Sequence, residues 1–333
     1  MASLDALPPT DDDAGGYVTA SLITYWVFFV TNTVTHFTLA YIMVFHTPEE
    51  RRVLRRYLLA TTVFDYLATI DNMFLQPRLA SGKSDNVPVI CYGFCKWFDP
   101  RVCFGFYMLW QTLSLAVGAS MNYTLFFKWY RFKTNEELRG RHLLLSILFF
   151  FGHCLVSLVC GTIIVVRNAL EDNITAPQGF DFDRASLEIG QMTLLRTPNM
   201  INLVMMALGI YIYPILGVCF SWHLNKILDG GISEQSPKLR KAAKKAVKGI
   251  RIQLIGHFLC YVPLFSIYIY SNLTKTEILF QQFFLALSPN LAATFDPLLN
   301  LYYIGPYKKK MCSLLRIKQK VSPTGDQSAA ETG

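Results

Sequence analysis

Val102-Cys103-Phe104-Gly105-Phe106-Tyr107-Met108-Leu109-Trp110-Gln111-Thr112-Leu113-Ser114-Leu115-Ala116-Val117-Gly118-Ala119-Ser120-Met121-Asn122-Tyr123-Thr124-Leu125-Phe126-Phe127 contains no Asp, Glu, Lys or Arg. About 20 apolar residues, rising about 1.5 Å each in a helix, cross the hydrocarbon core of a bilayer. The stretch is therefore long enough to span a membrane and too oily to sit in water. Four more windows are equally free of charge: Ala14 to Pro48, His142 to Val166, Thr197 to Asn225 and Ile252 to Thr274. Two others are as apolar but carry acids, Asp65 and Asp71 in Tyr57 to Pro77, and Asp296 in Ile278 to Tyr307. The 333 residues are 52% hydrophobic and only 16% charged, whereas about a quarter of an ordinary soluble chain is charged. A solvated globular domain is excluded, and no length remains for a separate catalytic domain.

The expected fold is an all-α membrane bundle of seven helices, with spans at about 17–45, 57–79, 102–128, 142–166, 198–224, 252–273 and 278–303. An odd number of crossings puts the termini on opposite sides, and retained Lys and Arg mark the cytoplasmic loops. With the amino terminus outside, 23 of the 31 basic residues fall on the inner side, in Arg51 to Arg56, Lys128 to Arg141, Lys226 to Arg251 and Lys308 to Lys320. Residues 1–16 are then an extracellular amino terminus and 304–333 a cytoplasmic tail. Positive charge gathered on one face suits anionic inner-leaflet lipid and a cytoplasmic partner. No basic region with interleaved aromatics offers a nucleic-acid surface.

Met1 to Gly16 has no positive first region and carries Asp11, Asp12 and Asp13, so the first span is expected to act as its own signal-anchor. Asn173-Ile-Thr lies in the longest outer loop and is the plausible glycan acceptor. Of eight cysteines, only Cys91, Cys95 and Cys103 sit outside or at the outer edge, where disulfides form. Cys95 to Cys103 would tie the first outer loop to the head of the third span, with Cys91 able to substitute. Cys91-x3-Cys95 lacks a second pair and a nearby His, so no metal site is expected. No Gly-rich phosphate loop, exposed Ser, His and Asp set or Glu-x-x-His pattern is present, which argues against an enzyme and implies no cofactor. A transporter or ligand-gated channel subunit is the alternative of a different class, although the two related halves usual in transporters are absent, and a lipid-modifying enzyme is a distant third.

Cys103 to Lys128 amounts to about 37 Å of helix, and at its inner end stands Phe126-Phe127-Lys128-Trp129-Tyr130-Arg131. In rhodopsin-like receptors an Asp-Arg-Tyr triplet occupies this place; here it is Lys128-Trp129-Tyr130, with Arg131 one residue on. These residues either face a cytoplasmic partner or anchor the helix at the interface by snorkelling. The seventh span closes Phe295-Asp296-Pro297-Leu298-Leu299-Asn300-Leu301-Tyr302-Tyr303-Ile304-Gly305-Pro306-Tyr307-Lys308-Lys309-Lys310. This resembles the nematode seven-transmembrane chemoreceptors of the Str superfamily, whose last span ends with Asp-Pro, an aromatic step and a Tyr before basic residues. Leu75-Gln76-Pro77-Arg78-Leu79 and Gly93-Phe94-Cys95-Lys96-Trp97-Phe98-Asp99-Pro100-Arg101-Val102-Cys103-Phe104 look like the Srd branch, serpentine receptor class d, although Phe94 stands where that family tends to have Pro.

The resemblance implies a rhodopsin-like G protein-coupled receptor that binds a small molecule in the outer half of the bundle and activates a heterotrimeric G protein at its inner face. For the ligand, Tyr107, Trp110, Gln111 and Ser114 share one face of the third span, His257, Tyr261 and Tyr268 mark the sixth, and Asp71 lies near the outer end of the second. Aromatics at this spacing also serve as plain packing. Asp71 needs a partner, either a cationic ligand or a neighbouring Tyr or Arg78. Asp65 and Asp296, the latter before a Pro297 expected to kink its helix, would share a proton, a cation or polar neighbours such as His36 and Asn300. That network is either an activation switch or a static tie between helices. Lys244, Lys245 and Lys248 extend the sixth span inward, towards the G protein or towards lipid. A short interfacial helix over Lys308 to Lys318 would place Cys312 for palmitoylation. Oligomeric state is not legible.

Overall fold

The computed structural model describes residues 12–47, 52–82, 85–134, 138–170, 185–193, 195–230 and 237–314. The helices are α1 (Asp12–His46), α2 (Arg52–Leu75), α3 (Pro100–Thr134), α4 (Gly140–Leu170), α5 (Thr197–Ala207), α6 (Tyr213–Asp229), α7 (Pro237–Thr274), α8 (Leu279–Phe284), α9 (Ser288–Tyr303) and α10 (Gly305–Leu314). Three strands join them: β1 (Pro77–Leu79), β2 (Asn86–Cys91) and β3 (Leu187–Thr193). Among the described residues, five stretches are long and apolar enough to cross a bilayer: Gly15–His46, Pro100–Thr134, Gly140–Leu170, Thr197–Asp229 and Ala243–Thr274. Of these, α3 is the central post, since 56% of its apolar window is buried against 17–28% in the others. It packs on α2, α4, α6 and β3.

The bundle inverts the polarity of a soluble protein. On α1, Ile23, Val27, Val30, Val34 and Phe37 are exposed, while Asn32 and His36 are buried. On α4 the exposed face carries Leu144, Leu148, Leu155 and Val159, and Ser157 is buried. Such a surface is stable only against hydrocarbon, and polar groups turned inward there bind helices to one another.

Prolines set where the helices break. The sequence pattern runs the second span to residue 79, but α2 stops at Leu75 and Gln76 takes φ 45. The next residue is Pro77, which disfavours a helical conformation in the residue before it. The seventh stretch divides into α8 and α9 at Leu285–Leu287. Pro289 lacks an N–H, and its ring would clash with the carbonyl four residues back. In that break the Ala286 carbonyl accepts from Asn72 Nδ2 at 2.5 Å, and the Asn290 carbonyl accepts from Asn32 Nδ2 at 3.1 Å. The helix interrupts at Pro289 and runs on through Pro297, where the sequence suggested the kink. A π-helical turn at Leu208–Ile212 separates α5 from α6 just before Pro214.

The strands form an antiparallel sheet of order β1-β2-β3, with Pro77 opposite Cys91 and Val89 opposite Gly190. All-helical expectation holds for the bundle and not for these connections. The central strand holds Pro88, a residue whose missing N–H argues against an interior strand. The sheet lies across one end of the bundle, its Val87 and Val89 fully buried. A side chain at Gly190 would collide with the Phe104 ring, so the strand can lie on α3 only with glycine there. Cys95, in a 3-10 turn at Phe94–Trp97, is disulfide-bonded to Cys103 of α3. Cys91 stays reduced, donating from Sγ to the Leu75 carbonyl at 2.8 Å. Burial pushes its thiol up to about 12, which makes it a poor nucleophile.

Candidate ligand cavity and polar core

Beneath the sheet lies a cavity lined from α3 by Tyr107, Trp110, Gln111 and Ser114, and from α7 by Tyr261, Phe265 and Tyr268. From α5 and the following turn come Asn202, Leu203, Met206 and Ile210; Leu79 of β1 and Met192 of β3 form the roof; Leu285, Ser288 and Pro289 close the side at the helix break. Below it, sharing Ser114, Met206, Ile210 and Tyr261, is a second cavity that reaches Asn122, Tyr213 and His257. The seven residues named on the third and sixth spans are thus brought together around two adjoining spaces. Asp71 is not among them. Its carboxylate is buried, neither oxygen has a hydrogen-bond partner, and it lines neither cavity. Arg78, one suggested partner, instead donates to Gln282 Oε1 at 3.0 Å and lies 4.6 Å over the Phe283 ring.

A side-chain relay crosses the wall of the upper cavity. Ser157 of α4 donates to Asn202 Oδ1 at 2.6 Å, and Asn202 Nδ2 donates to Gln111 Oε1 at 2.7 Å. Asn202, fully buried on an otherwise charge-free span, is the polar residue that the pattern of aromatics did not single out. Leu79 and Met192 could not be found from sequence, because they enter through strands that the sequence does not signal.

The two core acids do not share one group. His36 Nε2 lies 3.2 Å from Asp65 Oδ2, joining α1 to α2, and His257 Nε2 lies 2.8 Å from Asp296 Oδ2, joining α7 to α9. His257 was expected among the ligand contacts; it lines the lower cavity and also holds the acid. Its ring stacks on Tyr261 at 5.7 Å. Gln253 Nε2 donates to the Asp296 carbonyl at 3.0 Å. Asn300 is half-buried one turn along α9 and makes no side-chain bond to either acid.

The family model for the serpentine type 7TM GPCR chemoreceptor Srd matches residues 21–313. The chain belongs to the Srd family. Among relatives, serpentine receptor class delta-40 of Caenorhabditis elegans is 28% identical over 302 residues, 90% of this chain and 93% of the relative. Class delta-44 of the same organism is also 28% identical, over 306 residues, 89% and 93% of the two chains. The fold resembles squid rhodopsin, with a TM-score of 0.58 at 8% identity, covering 89% of this chain and 85% of that one. The Srd chain is thus a member of a nematode chemoreceptor family of G protein-coupled type, not of an enzyme family, built as a rhodopsin-like helical membrane bundle.

At the end of the Srd bundle opposite the sheet, α3 closes with Lys128, Trp129, Tyr130 and Arg131. Trp129 packs on Phe126 and Phe220, with Lys133 4.9 Å over its ring. On α7, Lys244 pairs with Asp229 at the end of α6, Lys245 lies 5.6 Å over the Tyr302 ring, and Lys248 is exposed. Lys308 covers the other approach to Tyr302 at 4.3 Å. Helix α10 starts at Gly305, and Tyr307 bonds Thr47 at 3.0 Å, tying it to the end of α1. Cys312 is a free, partly buried thiol on α10. Asn173, residues 1–11 of the expected extracellular amino terminus and the tail beyond 314 lie outside the described residues. Among the described residues, no group of His, Cys, Asp and Glu is arranged to hold a metal.

Proposed function

We propose that the protein is a chemosensory receptor with seven crossings and an outside amino terminus, which takes a small molecule in the cavity under the sheet and signals to a heterotrimeric G protein at the basic end. The observation that carries this reading is the cavity between α3, α5 and α7, roofed by strands and pinned by Cys95–Cys103, in a chain of the Srd family. A space between helices that is mostly apolar with a few polar groups is the usual form of a small-molecule site. The count of seven adds α2 and the broken α8–α9 to the five long apolar stretches, and the outside amino terminus follows from the bias of Lys and Arg. Such a protein belongs in the plasma membrane, with sensory cilia as the place where a soluble chemical is met. Asn173 is the proposed glycan site and Cys312 the proposed palmitoylation site.

Geometry supplies a route from ligand to partner. Tyr261 lines both cavities, stacks on His257, and His257 holds Asp296 of α9. A ligand that displaces Tyr261 acts on the α7–α9 contact, and the inner extension of α7 carries Lys244, Lys245 and Lys248. Movement of that extension away from Lys128 to Arg131 on α3 would open a basic cleft for the G protein. The test is a calcium or cyclic-nucleotide response in cells with verified surface protein, challenged with small odorants and soluble metabolites. Responses abolished when the G protein pathway is blocked are the expected result; a current or uptake that survives the block would instead make this a channel or transporter.

A further inference from the structure

Inside the upper cavity a buried donor is left without a partner, beside phenol hydroxyls, that of Tyr107 among them, which can donate or accept. Both amide oxygens on its wall are taken: Asn202 Oδ1 by the Ser157 hydroxyl, and Gln111 Oε1 by Asn202 Nδ2. The serine hydroxyl hydrogens are also used internally, Ser114 donating to the Trp110 carbonyl at 2.9 Å and Ser288 to the Leu285 carbonyl at 2.8 Å. With its oxygen already accepting from Asn202, Gln111 has amide N–H groups to offer. The indole N–H of Trp110, on a side chain 5% exposed, has no hydrogen-bond partner. Leaving such a donor buried and unpaired is costly, and a guest that accepts from it removes that cost.

Charge is missing from the same wall. No Asp, Glu, Lys, Arg or His lines the upper cavity. The nearest ionisable group of the lower cavity, His257, is already bonded to Asp296. Asp71, the carboxylate that sequence suggested for a cationic ligand, opens into neither space. A charged guest would give up its hydration with no opposite charge to replace it.

Resting on the receptor reading above, we infer that the upper cavity selects an uncharged molecule bearing a hydrogen-bond acceptor, such as a carbonyl oxygen, on an aromatic or alicyclic frame. The acceptor meets Trp110 Nε1 and the Gln111 amide, while Tyr107, Phe265, Met206 and Ile210 enclose the frame.

Matched small probes separate the possibilities: an aryl ketone, the hydrocarbon without its oxygen, the corresponding ammonium and the corresponding carboxylate. Binding is read on the purified full chain in lipid nanodiscs by saturation-transfer NMR, and signalling is read separately in cells. The ketones are expected to bind about tenfold or more tighter than their hydrocarbons, and the charged members not at all at the same concentration. Trp110→Phe keeps an aromatic ring and removes the N–H, and should reduce the preference for ketone over hydrocarbon, measured within the variant, to about twofold. Tighter binding of a charged probe, an unchanged preference in Trp110→Phe, or no binding by any neutral probe would overturn the inference. Ketone binding without a G protein-dependent signal would sink the receptor reading and leave the ligand class standing. Signals from the ammonium probe alone would do the reverse.

Discussion

His36 Nε2 stands 3.2 Å from Asp65 Oδ2 while Nδ1 of the same ring stands 2.8 Å from the Asn32 carbonyl oxygen. A carbonyl oxygen only accepts, so Nδ1 carries a hydrogen. Another hydrogen must lie between Nε2 and Oδ2, whichever atom owns it, because two lone pairs would otherwise face each other. With that hydrogen the dyad is neutral; without it a buried negative charge remains, which is expensive between apolar helices.

The shared hydrogen can be tested by substitution. In Asp65→Asn the side-chain amide can still donate to Nε2, so the tie between α1 and α2 is kept and the melting temperature of the solubilised protein should stay within a few degrees of the native value. Asp65→Leu strands Nε2 in the bundle and should lower the midpoint by several degrees. A loss in Asp65→Asn as large as in Asp65→Leu would remove the shared hydrogen from the account.

Asn202→Leu tests the relay between α4, α5 and α3. The leucine is similar in volume but strands the Ser157 hydroxyl and Gln111 Oε1, both buried. Each unpaired group costs about 1–3 kcal/mol, so the thermal midpoint should drop by several degrees. Asn202→Leu with Ser157→Ala and Gln111→Leu, in which all three polar partners are gone, should recover much of that loss. If the triple variant were no more stable than the single one, the relay would not be what holds these helices.

The roof gives a third prediction. Gly93 lies so close to the Phe74 and Leu75 carbonyls that any Cβ would strike backbone, which cannot swing aside. Gly93→Ala should lower the folded surface fraction several-fold. Loss of the disulfide in Cys103→Ser, which frees a short loop, should cost about 2–3 kcal/mol and also reduce surface protein. Cys91, buried and bonded to the Leu75 carbonyl, should stay unlabelled by maleimide in the intact native protein. Rapid labelling of Cys91 at neutral pH would show that the roof opens.

How far the sequence speaks depends on which force decides each element. Charge-free windows announce α1, α3, α4, α5–α6 and α7, because insolubility in water is a property of composition. The residues of the upper cavity on α3 follow from helical spacing, since four residues at 107, 110, 111 and 114 must share a face. The strands escape notice because Pro88 and Gly190 weaken their local signal, and only packing on α3 explains them. The partners of the acids are likewise long-range facts. Asp65 and Asp296 each signal that a buried carboxylate needs company, but which imidazole meets which acid depends on how α1, α2, α7 and α9 align.

Asp296 offers the last prediction, on signalling rather than stability. Its carboxylate accepts from His257 on α7, and its backbone carbonyl accepts from Gln253 on the same helix, so one residue of α9 grips α7 twice, one turn apart. Asp296→Asn retains the size and the backbone bond but weakens the charged contact to an ordinary hydrogen bond. If the α7–α9 contact restrains the inner extension of α7, the variant should raise basal signalling several-fold, with a smaller additional response to ligand. His257→Gln should do the same through the other partner, and combining the two should add little, because both break one contact. Gln253→Leu, which removes the backbone bond and leaves the acid pair, should give a smaller effect. Unchanged basal and evoked signals in Asp296→Asn at equal surface level would make the pair a static tie between helices.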